Sequence, residues 1–155
     1  MKKPRILVMS VQDAVKYVLK HIQYEYAQKT DTYAVISIQD TEGFGIEFRD
    51  SSYCKDVLTL YFDDLEESCP GYKMINDAQA EQIIHFIKDH QDVDTLLIHC
   101  YAGVSRSRAV GVFASELLGI PFSSGRAFNE YVYSMLKDAV KEIEANEESS
   151  TIISE

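Results

Sequence analysis

Cys100 and Arg106 stand six positions apart with Gly103 midway between them. They belong to the run His99-Cys100-Tyr101-Ala102-Gly103-Val104-Ser105-Arg106-Ser107. A strand-like apolar run precedes this segment and a helix-like run follows it. A short turn entering a helix aims successive backbone N–H groups inward and makes a nest for an anion. The helix start adds donors and a partial positive charge. Tyr101, Ala102, Gly103, Val104, Ser105 and Arg106 are therefore expected to bind phosphate, mostly through main-chain amides. Arg106 can grip two phosphate oxygens through its planar fork. Gly103 gives the loop dihedral freedom where it must curl and lets backbone approach the anion.

Cys100 lies at the mouth of this nest. A free thiol has a pKa of ~8.5, and a helix N-terminus or a neighbouring cation lowers it. The thiolate can attack phosphorus in line and give a phosphocysteine. The nest and Arg106 are complementary to the equatorial oxygens of that transition state. Ser107 can donate its hydroxyl to the sulfur and stabilise the thiolate as a leaving group, or it can simply cap the helix. His99 can orient the loop through its ring nitrogens. Singly these residues are ordinary, since a lone cysteine at a strand end is usually a small buried side chain. Their combination at this spacing is what points to phosphoryl chemistry.

The flanking pattern supplies the elements that would hold the loop. Ile6–Met9, Ala34–Ile38, Val57–Phe62 and Val93–Ile98 read as strands. Leu96-Leu97-Ile98 has no polar face, as expected of a strand covered on both sides. Helices are expected over 11–22, 78–89 with Asp77 as cap, 107–118 and 126–145. Gly119 and Pro121 end the third of these. Residues 144–155 carry four glutamates and little periodicity, and are expected to fray as an acidic tail. Strands alternating with helices predict one α/β domain over 1–155, with a central, mostly parallel sheet flanked by helices. Sites in such sheets form beyond the carboxyl ends of the strands. Cys100 and the pair Asp63-Asp64 both follow strand candidates at that end.

The composition narrows the partners. A chain of 155 residues is long enough for a proper core. Its formal net charge is −10. Such a surface repels polyanions, so extended nucleic-acid binding is not expected. No apolar run approaches the roughly 18 residues of a membrane span. Ile6–Met9 is too short for a signal-peptide core, so a cytoplasmic location is the expectation. Three cysteines make no disulfide framework, and the histidines have no zinc-like spacing. No metal or other cofactor is expected.

The Cys100–Arg106 loop resembles the signature loop of the cysteine-dependent protein tyrosine phosphatase superfamily, most of all its compact dual-specificity-like branch. The likeness in pattern covers Leu96 to about Phe113. It implies that Cys100 is the nucleophile, Arg106 the phosphate-binding arginine and Ser107 the hydroxyl that helps expel the thiolate. It also implies an acidic residue on a movable loop upstream of the cysteine. Asp64, 36 residues before Cys100, is the first choice for this acid and Asp63 the second. The partner of either aspartate would then cap a turn. The signature loop has no lysine, unlike many inositol-lipid members of the superfamily. The expected activity is phosphomonoester hydrolysis on a phosphorylated protein, by a tyrosine or dual-specificity phosphatase. The alternatives are a phosphatase of a small phosphomonoester and a module that holds phosphotyrosine without turning it over. Arg126 and Asn129 could add polar groups near the pocket. Cys69, just past Asp64, could form a disulfide with Cys100 under oxidation.

Overall fold

Short apolar and β-branched runs build the sheet, and amphipathic segments of helical period cover it. The computed structural model describes residues 2–23, 31–123, 125 and 127–154. Its strands are β1 (Arg5–Ser10), β2 (Tyr33–Gln39), β3 (Cys54–Tyr61) and β4 (Thr95–Cys100). Its helices are α1 (Val11–Gln23), α2 (Asp77–Asp89), α3 (Arg106–Leu118) and α4 (Glu130–Ser154). The four strands form one parallel sheet in the order β1-β4-β2-β3.

Alternation along the central strands sorts side chains between two faces. Ile36 and Ile38 of β2, with Leu96 and Ile98 of β4, pack against α2, α3 and α4. Val35 and Leu97 face the other way, with Ala14 of α1 and Phe48. The same alternation puts Cys100 on the first face and His99 on the second, against the Phe48 ring. Burying each of these aliphatic side chains is worth about 1.5–3 kcal/mol, so the strand that ends in Cys100 is firmly held.

Several boundaries differ from the sequence expectation. β4 runs on to Cys100 because His99 and Cys100 still pair with Met9 and Ser10 of β1. The cysteine is thus the last residue of a strand. Asn76, not Asp77, caps α2, since its side chain and that of Gln79 exchange hydrogen bonds with each other's backbone. α4 starts at Glu130 instead of 126, because Asn129 takes the cap position and accepts from Val132 N. The expected frayed tail is also not what the backbone does, for α4 stays helical through Ser154. Glu142, Glu144, Ala145, Glu147 and Glu148 are good helix formers, so propensity carries the helix past its last docked turn. Residues 144–149 are exposed there. Among the described residues no helix is long and apolar enough to cross a membrane.

Candidate active site

The site forms where β1, β4 and β2 end side by side. Cys100 closes β4, residues 101–105 turn, and α3 begins at Arg106. The backbone of this turn is tied to the neighbouring strand end, since Val11 N donates to the Tyr101 carbonyl at 3.1 Å. Gly103 has φ +76°, and a Cβ there would lie 2.4 Å from the Met9 carbonyl carbon and 2.5 Å from Ser10 N. Only glycine fits, for both conformational and steric reasons. Tyr101, Ala102 and Val104 point their side chains to solvent, so the loop's inner lining is main chain. Ser105 occupies the cap position of α3 but makes no side-chain cap bond, which leaves the first amides of that helix free of such a partner.

Two hydrogen bonds converge on the buried thiol. Ser107 Oγ lies 3.0 Å from Cys100 Sγ, and Gly103 N donates to the same sulfur at 3.3 Å. Arg106 is 3% exposed. Its Nη1 donates to the Phe62 carbonyl at 2.7 Å and to Asp40 Oδ1 at 2.8 Å. Its Nε–H is buried with no partner among the described residues. One edge of the guanidinium is therefore anchored while a donor outside that anchor is left unsatisfied.

His99 is fully buried beneath the loop. Its Nδ1 lies 3.1 Å from the Cys100 carbonyl, which can only accept, so Nδ1 carries the proton. Nε2 then accepts from Ser37 Oγ at 2.6 Å, and Gln39 Nε2 donates to that hydroxyl at 3.2 Å. Burial lowers the His99 pKa, the Cys100 carbonyl opposes this, and the Arg106 charge lowers it again. The net value lies below that of an ordinary imidazole.

The two adjacent aspartates have different surroundings. Asp63 accepts from Thr41 N, Thr41 Oγ1 and Lys73 N at 3.1, 2.7 and 2.8 Å. Desolvation pushes its carboxyl up, but these donors, with the Arg106 charge, outweigh it and hold it below the usual carboxylate range. Asp64 instead reaches the signature loop. Its Oδ1 accepts from Ser105 Oγ at 2.8 Å and from Asn129 Nδ2 at 2.7 Å.

No family model matches the sequence, and no curated protein does either. The human tyrosine phosphatase-like serine/threonine/tyrosine-interacting protein superposes at a TM-score of 0.60, with 17% identity over 89% of this chain and 92% of that one. The PTP-2 phosphatase of Cydia pomonella superposes at 0.51, with 20% identity over 86% of this chain and 84% of its own. This is the tyrosine-phosphatase fold.

Within that phosphatase fold, Cys100, Gly103, Ser105, Arg106, Ser107 and Asp64 come together, while Asp63 turns to the backbone of Thr41 and Lys73. Sequence reasoning missed Asp40, Ser37 and Gln39. Asp40 follows β2 just as Asp63 follows β3, so the strand-end rule could have found it. Ser37 and Gln39 gave no signal beyond being polar in an apolar strand. Asn129 was noted as a polar residue near the pocket, and its contacts with Asp64 give it a definite place. Arg126 lies outside the described residues. Cys69 is exposed and Cys100 buried, and both are free thiols.

Proposed function

We propose that the chain hydrolyses phosphomonoesters through a phosphocysteine intermediate. Its substrate is a phosphorylated protein side chain, phosphotyrosine first, with a small phosphomonoester as the nearest relative of that chemistry. The observation that carries this reading is the buried Arg106, whose Nε–H has no partner among the described residues, beside a sulfur hydrogen-bonded to the Gly103 amide and the Ser107 hydroxyl. Buried donors without partners are costly, and a phosphate oxygen would satisfy this one.

The steps follow from the residues. Cys100 Sγ attacks phosphorus in line, and the bond from phosphorus to the leaving oxygen breaks. Asp64 gives that oxygen its proton. Loop amides and Arg106 hold the three equatorial oxygens as charge gathers on them. Water then attacks phosphorus, Asp64 takes its proton, and the S–P bond breaks. The thiolate leaves with the Ser107 hydroxyl donating to it. The exposed Tyr101 ring, edge-on to Phe44 at 5.6 Å between centroids, offers an apolar rim that supports an aryl ester.

A module that holds phosphate without turnover would use the same nest, and one fold neighbour is described as phosphatase-like and interacting. The thiol and its hydroxyl partner favour catalysis, since a binding module needs neither. Release of phosphate from para-nitrophenyl phosphate, reduced to background in Cys100→Ser, is the expected result. Phosphotyrosine binding by the intact protein with no release of phosphate would replace this reading with the binding module.

A further inference from the structure

We propose that Asn129 is a positioning residue for the general acid: it fixes Asp64 Oδ1, so that the proton given to the leaving group sits on Oδ2. The inference rests on the reading of Asp64 as that acid. Asn129 is 1% exposed and every polar group it has is engaged. Its Nδ2 donates to Asp64 Oδ1 at 2.7 Å and to the Leu65 carbonyl at 3.1 Å. Its Oδ1 accepts from Val132 N at 2.9 Å, and its own N–H donates to the Ser105 carbonyl at 3.3 Å. The amide can be oriented in one way only, because Val132 N–H can only donate and the Leu65 carbonyl can only accept.

This one side chain therefore joins the acid loop, the signature loop and the start of α4. Glu66 adds to the same junction by accepting from Glu130 N at 2.9 Å, where a carboxylate suits a helix N-terminus. Asp64 Oδ1 takes a second donor, Ser105 Oγ, at 2.8 Å. Asn129 Nδ2 can only donate, and with the Ser105 hydroxyl donating as well the lone pairs of Oδ1 are taken. In that arrangement the neutral carboxyl carries its proton on Oδ2, the oxygen that the proposal gives to the leaving group. Aspartate at 129 would still cap α4, but it would donate nothing and would set a negative charge against Asp64. Alanine would lose both functions, so Asn129→Asp is the informative change.

The test is a comparison of two esters. Phenyl phosphate needs its leaving oxygen protonated, while 2,4-dinitrophenyl phosphate releases a phenolate that leaves unaided. Asn129→Asp should lower kcat/KM on phenyl phosphate about 100-fold and on the dinitrophenyl ester by less than about threefold, because kcat/KM reports the steps through departure of the leaving group and not the later hydrolysis common to both. Adding Asn129→Asp to Asp64→Asn should cost little more on phenyl phosphate. Ser105→Ala removes the other donor without touching the α4 cap. It should show the same split to a smaller degree, and it serves if Asn129→Asp does not fold. Equal losses on both esters, or losses that multiply with Asp64→Asn, overturn the assignment and leave Asn129 a structural cap. If Cys100-dependent turnover is present but Asp64→Asn shows no split, the choice of acid fails with it. No turnover of either ester by the unmodified chain overturns the phosphatase reading itself.

Discussion

Asp63 and Asp64 are neighbours in the chain and answer to different partners. Asp63 receives three donors from Thr41 and Lys73, while Asp64 receives Ser105 and Asn129. Asp64→Asn should lower kcat on phenyl phosphate by about 10²–10⁴, the usual worth of a general acid. Asp63→Asn should leave the preference for acidic leaving groups unchanged and cost about 1 kcal/mol of stability, since its carboxylate is partly solvated. A steady-state comparison of the two variants, with thermal melts, checks both statements. His99 makes a separate prediction. The folded chain holds its imidazole neutral, while the unfolded chain titrates near 6.5. Below that pH the unfolded state binds the extra proton, so this contribution is complete above about pH 6.5 and is lost as pH falls toward the folded value. The drop in Tm from about pH 8 to about pH 5.5 should therefore shrink in His99→Gln. An unchanged drop would mean that the imidazole titrates freely in the folded chain.

Elements turn these residue properties into a site. The loop between β4 and α3 is pinned at Gly103, where a Cβ would strike the Met9 and Ser10 backbone. Gly103→Ala should cost at least the 1–2 kcal/mol of a left-handed conformation, plus the displacement of the β1 end. Tm should fall and phosphate release should drop to near background, as a thermal melt and a para-nitrophenyl phosphate assay would record. Retained activity would show that the loop does not depend on its seat against β1. This loop was legible in the sequence because its chemistry is local: thiol, glycine and arginine lie within seven residues. The central strands were legible because runs such as Leu96-Leu97-Ile98 admit one explanation. Asp40 and the Ser37–Gln39 pair were not legible, because their roles depend on how β2 lies beside β4. No periodicity announces a hydrogen bond between residues 62 positions apart, as Ser37 and His99 are. The helix ends were misplaced for a related reason. Asp77 and Asn76 are both good caps, and the choice between them was made by Gln79.

At the scale of the whole molecule, a formal charge of −10 surrounds a site that, on the proposed function, admits a dianion. Glu42, Glu66 and Glu67 are exposed in the segments that follow β2 and β3. Repulsion of this kind is screened as the Debye length contracts from about 30 Å at 0.01 M salt to about 8 Å at 0.15 M. For a small aryl phosphate, kcat/KM should rise about two- to threefold over that range of NaCl, with kcat unchanged. A fall instead would show that the local field of the nest outweighs the distant negative charge.

The buried chain of polar groups under the thiol reaches further than the thiol. Gln39 Oε1 accepts from Phe44 N at 2.8 Å, and its amide nitrogen leads through Ser37 and His99 to the Cys100 carbonyl. Phe44 in turn abuts Tyr101 at the rim. The proposed nucleophile and the wall that would meet an incoming side chain thus share one internal brace. Selection acting on substrate choice through this wall would carry reactivity along with it, and an engineer who altered Gln39 would be retuning both at once.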